Sequence, residues 1–154
     1  MTEPIKHIVS FSGGMGSFAE AKSCVDKFGK ENVLLLFSDT LMEDKDLYRF
    51  IEETVAFLDC ELVTLTEGRT PWELFRDRRF VGNSRIDICS EVLKRNLLIN
   101  WIKDNYGYTV KTGLGIKNYL GEEMRFEYIW HSKAHIHLGI DFSEHHRLTR
   151  VQGI

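Results

Sequence analysis

The chain has 154 residues, of which 43% are hydrophobic and 28% are charged, and its formal net charge at pH 7 is −3. This length predicts a single domain, over residues 1–154, that buries about two-thirds of its unfolded surface without disulfides or metals. The charge gives no general attraction to nucleic acid, and no apolar run approaches the ~20 residues that a membrane span requires. We therefore expect a soluble globular protein without a membrane partner.

The N-terminal residues lack the basic and apolar regions of a secretory signal, so we expect a cytoplasmic location. Cys24, Cys60 and Cys89 are widely spaced and form no C-x-x-C pair, which argues against a disulfide framework or a zinc ribbon. We expect Cys24 and Cys60 to be small core residues. Local basic patches leave nucleic acid binding open, and the sequence leaves homo-oligomerisation open as well.

An apolar, β-rich run at residues 5–11 predicts a buried first strand. The turn that follows contains three glycines and two serines: Ser12, Gly13, Gly14, Gly16 and Ser17. Glycines let the chain turn sharply and present N–H groups to an anion, and the serines add hydroxyl donors. Ser17 is expected to be the N-cap of a helix over 17–29, with the positive end of its dipole at the turn. The pattern predicts a phosphate-binding turn.

The next apolar run, at 33–37, predicts a strand covered on both faces, with Asp39 and Thr40 at its carboxyl end. Ligands of open parallel sheets bind outside the carboxyl ends of the strands. We therefore expect Asp39 beside the glycine turn if the two strands are neighbours. The alternative role for Asp39 is to cap the following turn or helix.

Strands and helices continue to alternate along the chain. The patterns predict a helix at 43–58, a strand at 61–65, a short helix from Pro71 to Arg76, a surface loop at 80–88 and a helix at 89–105. Two period-2 segments at 108–112 and 125–130 predict a β-hairpin-like excursion within 106–133, and 135–139 predicts a further strand. The fold expected is a three-layer α/β/α sandwich, Rossmann-like, with a mainly parallel five-stranded sheet.

Three phosphate-loop interpretations compete for the glycine turn. Walker A is excluded because no Lys precedes the terminal hydroxyl. The residues from Gly14 to Ala19 fit a loosened dinucleotide fingerprint, with Asp39 after the second strand, which would favour an NAD-dependent oxidoreductase that uses Asp39 on the ribose. The third interpretation begins at Ser12.

The run Ser12-Gly-Gly-Met-Gly-Ser17 resembles the S-G-G-x-D-S loop of the PP-loop ATP pyrophosphatases, in the adenine nucleotide alpha-hydrolase-like (HUP type) superfamily. Three further segments resemble its phosphoadenosine phosphosulfate reductase-like branch. They are Phe37-Ser-Asp-Thr40, Cys89 followed by Lys94, and Gly139-Ile-Asp-Phe-Ser-Glu-His-His-Arg147. The resemblance covers residues 8 to 147.

The resemblance implies that the turn binds the phosphates of ATP or a related adenine nucleotide, with Mg²⁺, and that the Phe37–Thr40 segment lies near adenosine. The run beginning at Gly139 would complete the nucleotide site. Lys94 and Arg147 would neutralise charge on the reacting phosphate, with Glu144 beside Arg147. The implied reaction is cleavage of the α–β phosphate bond or adenylyl transfer to an unknown acceptor. The alternatives without a functional role are that Lys94 is an exposed helical residue and that Glu144 and Arg147 form a surface ion pair.

The chain departs from the family in three places. Gly16 occupies the family's Asp position, Asp141 stands where an Arg is usual, and the C-terminal segment with the reductase cysteine has no counterpart. We therefore predict that the chain does not reduce sulfonucleotides. A non-catalytic nucleotide-binding or interaction module is the alternative to an enzyme.

Five histidines lie close together in the sequence: His131, His135, His137, His145 and His146. With Asp141 and Glu144 they make a metal-hydrolase site conceivable, yet no H-E-x-x-H or comparable spacing occurs. We expect polar surface or core-edge histidines and no metal site.

Overall fold

The computed structural model of the chain describes residues 5–82, 87–113 and 126–139. Its first half contains β1 (His7–Ser10), α1 (Met15–Phe28), β2 (Val33–Asp39), α2 (Lys45–Leu58), β3 (Glu61–Thr66) and α3 (Pro71–Arg78). Its second half contains α4 (Ile88–Ser90), a π-helical segment (Glu91–Arg95), α5 (Asn96–Tyr106), β4 (Gly107–Gly113), β5 (Phe126–Ser132) and β6 (His135–Leu138). The predicted alternation of strands and helices is confirmed. None of the described helices is both long enough and apolar enough to cross a bilayer.

The main sheet has four strands in the order β3-β2-β1-β6, and every neighbouring pair is parallel. The parallel character is as predicted, but a fifth strand of this sheet is not observed among the described residues. Strands β4 and β5 form a separate antiparallel pair, which confirms the hairpin-like excursion. The carboxyl ends of β1, β2 and β6 therefore meet at one edge of the main sheet.

Strand β2 shows why the fold has three layers. Six of its seven residues are buried, so both of its faces are covered. Leu35 and Phe37 join the core on the side of α1 and α2, whereas Leu34 and Leu36 join the core that includes Ile102 of α5. Burial of each such side chain contributes about 1.5–3 kcal/mol. The helices are thus held on opposite faces of the sheet by alternate residues of one strand.

The helical segment after α4 has an irregular pitch. Residues Glu91–Arg95 are π-helical, and they run directly into α5. Leu93 is fully buried and anchors this segment to the core. Isolated π-helical turns are rare and often lie at functional sites. This one carries Lys94 to the edge of the sheet where the carboxyl ends of β1 and β2 lie, which we call the ligand edge because parallel α/β sheets bind their ligands there.

Candidate functional site

The turn between β1 and α1 is shaped by two glycines. Gly13 has φ of +78°, and a Cβ atom there would lie 2.9 Å from Leu47 Cγ, so the position favours glycine for conformation and for space. Gly14 is extended and precedes the first residue of α1. The first hydrogen bond of the helix runs from Phe18 N to Gly14 O at 3.0 Å. The amides of Met15, Gly16 and Ser17 have no acceptor within the helix. They lie at its positive end, an arrangement that suits an anion.

The two serines of the turn have different roles. Ser17 is buried, and its hydroxyl donates to Gly14 O at 2.8 Å while accepting from Ser12 N at 3.2 Å. The predicted N-cap role of Ser17 is wrong, because α1 begins two residues earlier, at Met15, and Gly14 is the N-cap. Ser17 closes the turn, whereas Ser12 is exposed, and its hydroxyl donates to that of Ser17 at 3.2 Å. Because it is exposed, Ser12 is the serine whose hydroxyl can turn from Ser17 to donate to a ligand.

Gly139, just past β6, touches the first turn of α1. A Cβ atom at Gly139 would lie 2.4 Å from Gly16 O and 2.7 Å from Ser17 N, so no larger residue fits without a backbone shift. At Gly16 the situation differs, because a Cβ atom there would meet its nearest neighbour, Gly139 O, at an ordinary 3.8 Å. This close packing explains why residue 139 is a glycine. Position 16, by contrast, has room for a side chain.

A crevice of about 110 Å³ opens between the carboxyl ends of β1 and β2. Its walls are Ser10, Phe11, Ser12, Leu36, Phe37, Ser38, Lys94 and Leu98. Within the described part of the chain, two buried hydroxyls have no hydrogen-bond partner, those of Ser38 and Thr54, and only Ser38 lines this crevice. A buried hydroxyl without a partner is costly and calls for an explanation. Ser38 lies inside the predicted adenosine segment, but the sequence did not distinguish it from its neighbours.

Lys94 and Thr40 both contact Glu43, which precedes α2. Lys94 Nζ lies 3.3 Å from Glu43 Oε1, and the Thr40 hydroxyl donates to the same oxygen at 2.9 Å. The structure thus brings Lys94 and Thr40 to one carboxylate, and their contact with a nucleotide stays a prediction. Glu43 itself was missed, because in the sequence it appeared to be the first residue of the next helix. The Lys94 side chain remains 45% exposed, so it can move away from Glu43.

Asp39 caps the turn that follows β2. Its Oδ1 accepts from Leu41 N at 2.8 Å and from the Tyr48 hydroxyl at 2.7 Å. The hydrogen bond to Asp39, followed by burial, raises the pKa of Tyr48. Leu41 has φ of +62°, so the carboxylate holds a strained turn in place. The capping alternative for Asp39 is therefore observed, and its contact with a nucleotide stays a prediction.

A second polar cluster lies between α1 and the sheet. Nδ1 of His137 lies 3.1 Å from Glu20 Oε1, and its Nε2 lies 3.0 Å from Nδ1 of His7. His7 is buried and stacks on Phe28 with ring centroids 3.6 Å apart. Burial, followed by the nearby His137 and His135, lowers the pKa of His7. His135 is exposed and His137 half-buried, as predicted for core-edge histidines, but neither His7 nor Glu20 was anticipated.

Cys24 belongs to the same cluster. It is buried, as predicted for both Cys24 and Cys60, and its thiol donates to Glu20 Oε1 at 3.5 Å. Burial, followed by the Glu20 carboxylate, raises the pKa of Cys24 to about 12. Cys89 is half-buried, and burial also raises its pKa. None of these thiols has the low pKa of a nucleophile.

The predicted residues Glu144 and Arg147 lie outside the described residues, as do Asp141, His145 and His146. Their proposed roles stay predictions. His131 lies on β5, stacked on Tyr108 at 5.6 Å. The described ligand edge is therefore formed by the turn, the crevice, Lys94 and Gly139.

Neither the comparison with models of known protein families nor the comparison with curated proteins finds a match for this chain. The functional assignment therefore depends on the geometry and chemistry of the ligand edge.

Proposed function

We propose that the chain binds an adenine nucleotide at the ligand edge, and that it cleaves the α–β phosphate bond or transfers the adenylyl group to an acceptor. One observation carries the proposal. The unpartnered Ser38 hydroxyl, Lys94 and the exposed Ser12 of the glycine turn line the same crevice at the carboxyl ends of β1 and β2. This is the position where parallel α/β sheets bind their ligands.

The two ends of the nucleotide would lie in different surroundings. The crevice is small beside the ~300–1,000 Å³ of typical ligand pockets, so it takes only one part of the nucleotide. Its apolar walls, from Phe11, Leu36 and Leu98, suit a base, and Ser38 offers that base a hydrogen bond. The phosphates would lie over the first amides of α1, those of Met15, Gly16 and Ser17, next to the exposed residue Gly14.

Lys94 is the described cation that would act on the reacting phosphate. Phosphoryl and nucleotidyl transfer depend on positioning and on neutralising charge that develops on oxygens. Without a nucleotide, Lys94 is paired with Glu43. On nucleotide binding it would exchange this carboxylate for phosphate oxygens, while Thr40 keeps Glu43 in place.

The resemblance also implies Mg²⁺, which prefers carboxylate and phosphate oxygens. The described residues do not fit a dedicated Mg²⁺ site, because the turn has Gly16 where the family has Asp. Asp39 and Glu43 both already accept hydrogen bonds from the protein. The proposed chemistry is therefore assigned to the amides, Ser12, Ser38 and Lys94.

Two observations favour the alternative of a non-catalytic nucleotide-binding module. The turn lacks a carboxylate at Gly16, and Glu43 holds Lys94. The NAD-dependent oxidoreductase is supported by the position of Asp39 at the end of β2. However, its Oδ1 already accepts two hydrogen bonds from the protein.

The test is calorimetric titration of ATP, phosphoadenosine phosphosulfate and NAD into the purified chain, with and without Mg²⁺, followed by a pyrophosphate-release assay. We expect ATP binding that is lost in the Ser12→Ala/Ser17→Ala variant. ATP binding with pyrophosphate release supports the enzyme, and ATP binding without release supports the module. Preference for NAD supports the oxidoreductase, and no adenine nucleotide binding contradicts the proposal.

Gly16→Asp separates the enzyme from the module more sharply. The position has space for a side chain, so the variant should fold, and it restores the carboxylate of the family loop. If the chain is an enzyme, we expect Mg²⁺-dependent pyrophosphate release to rise in Gly16→Asp and not in the control Gly16→Ala. A module would release no pyrophosphate in either variant.

A further inference from the structure

We propose that Glu20, Cys24 and His137 form a binding site for a divalent transition metal of the Zn²⁺ class. One ligand atom from each side chain lies within 4.8 Å of the others. The three residues are distinct from those assigned to the nucleotide, and they come from α1 and β6. Imidazole, thiolate and carboxylate are the three ligand types that Zn²⁺ uses in proteins, whereas Mg²⁺ and Ca²⁺ avoid sulfur.

The spacing of the ligand atoms suits a tetrahedral ion. Bond lengths of 2.0–2.3 Å to Zn²⁺ put neighbouring ligand atoms of a tetrahedron about 3.3–3.8 Å apart. Glu20 Oε1 lies 3.1 Å from His137 Nδ1 and 3.5 Å from Cys24 Sγ. The ligand atoms of the third pair, Cys24 and His137, lie within 4.8 Å of each other, so these two side chains would move closer together to complete the coordination.

His7 provides the outer partner that histidine ligands of metals usually have. When Nδ1 of His137 binds a metal, its proton is on Nε2, and His7 Nδ1 lies 3.0 Å from that atom to accept it. His7 is buried and is fixed by its stack on Phe28. The contact with His7 can therefore hold His137 in the tautomer that a metal requires, once the ion replaces the contact between Nδ1 and Glu20.

The site is accessible from one side. The Cys24 thiol is buried, but the side chains of His137 and Glu20 are 20% and 33% exposed. Three protein ligands leave one position of a tetrahedron for water. On binding, the thiol of Cys24 releases its proton to solvent, and the thiolate bonds to the ion. The metal would join α1, which follows the glycine turn, to β6, which ends one residue before Gly139.

Co²⁺ is the probe for this site, because a thiolate–Co²⁺ bond gives a charge-transfer absorption band that nitrogen and oxygen ligands do not give. We expect the EDTA-treated chain to develop this band with one equivalent of Co²⁺ and to lose it when Zn²⁺ is added in equal amount. Cys24→Ser should abolish the band. Cys60→Ser is the matched control, since Cys60 is also buried and is outside the cluster, and it should keep the band.

His137→Ala provides a second variant that leaves the thiol intact. It should weaken Zn²⁺ binding at least tenfold by calorimetry, after circular dichroism has established that both variants fold. No band in the wild-type chain contradicts the proposal, and so does a band that persists in Cys24→Ser. Ser12→Ala/Ser17→Ala should keep the band, so failure of nucleotide binding and failure of the metal site are separate results.

Discussion

Helix α1 contributes to two polar regions that differ in how their hydrogen bonds are used. At its N-terminus, the glycine turn presents amides that have no acceptor in the helix, beside a crevice in which the Ser38 hydroxyl has no partner. Roughly one to three turns further along, Glu20 and Cys24 form a chain of contacts with His137 and His7. Unpaired donors at the first region suit a ligand, whereas paired groups at the second stabilise the protein unless a metal replaces their protons.

This difference predicts which property each substitution affects. Loss of a group at the ligand edge should reduce affinity and leave stability nearly unchanged. Loss of a group in the second polar cluster, formed by His7, Glu20, Cys24 and His137, should reduce stability and leave nucleotide affinity unchanged. Substitution of Gly139 should affect both stability and nucleotide affinity, because Gly139 follows the strand that carries His137 and touches the first turn of α1.

Gly139→Ala is expected to have the largest effect. Its methyl group would lie 2.4 Å from Gly16 O, so we expect a loss of about 3 kcal/mol in the free energy of unfolding. Urea denaturation followed by circular dichroism measures this loss. Gly16→Ala is the control, and it should stay within about 1 kcal/mol of wild type, because alanine suits a helix and the space is free. Equal stabilities of the two variants would contradict the close approach.

His137→Ala, measured in EDTA, is expected to lower the free energy of unfolding by about 1–3 kcal/mol. The reason is that Glu20 and buried His7 lose the partner that lies between them. His135→Ala is the control on the same strand, where the side chain is exposed, and it should change stability by less than about 0.5 kcal/mol. If His137→Ala bound ATP more weakly under conditions in which the variant is fully folded, the two regions would not be functionally distinct.

Lys94→Met is expected to weaken ATP binding about tenfold, or about 1.4 kcal/mol, because it removes the cation beside the crevice. Stability should change little, since the ion pair with Glu43 is partly exposed. Lys103→Met removes a charge from α5, where Lys103 lies over Trp130, and should leave ATP affinity unchanged. Calorimetric titration of both variants makes the comparison.

Ser38→Ala and Thr54→Val give the smallest expected effects, and they are the most closely matched pair of test and control variants. Each removes a buried hydroxyl without a partner, so we expect stability to be unchanged or to rise by a few tenths of a kcal/mol. Only Ser38 lines the crevice, and only its variant should weaken ATP binding, about threefold to tenfold for one lost hydrogen bond. Weaker binding in Thr54→Val as well would indicate a general effect on the fold.

The order and type of the elements could be predicted because the periodicity of apolar residues depends on local geometry. The run Val33–Phe37, for example, indicated a strand buried on both faces, and β2 is such a strand. The start of α1 was mispredicted, because Ser17 is a good N-cap residue but Gly14 caps the helix, and Ser17 is needed inside the turn. The carboxylate Glu43 was missed because it stands where the next helix was predicted to begin, and its partner Lys94 is 51 residues away in the chain.

The sequence by itself determined the α/β alternation, the antiparallel pair, the glycine turn and the location of Asp39 and Thr40 at a strand end. All of these follow from patterns within a few residues. Only the tertiary structure decided that Ser38 lies unpartnered in a crevice, that Gly139 touches Gly16, and that Glu20, Cys24 and His137 converge. The physical reason is that β1 pairs with β6 across 128 residues of chain, and no local pattern encodes that pairing.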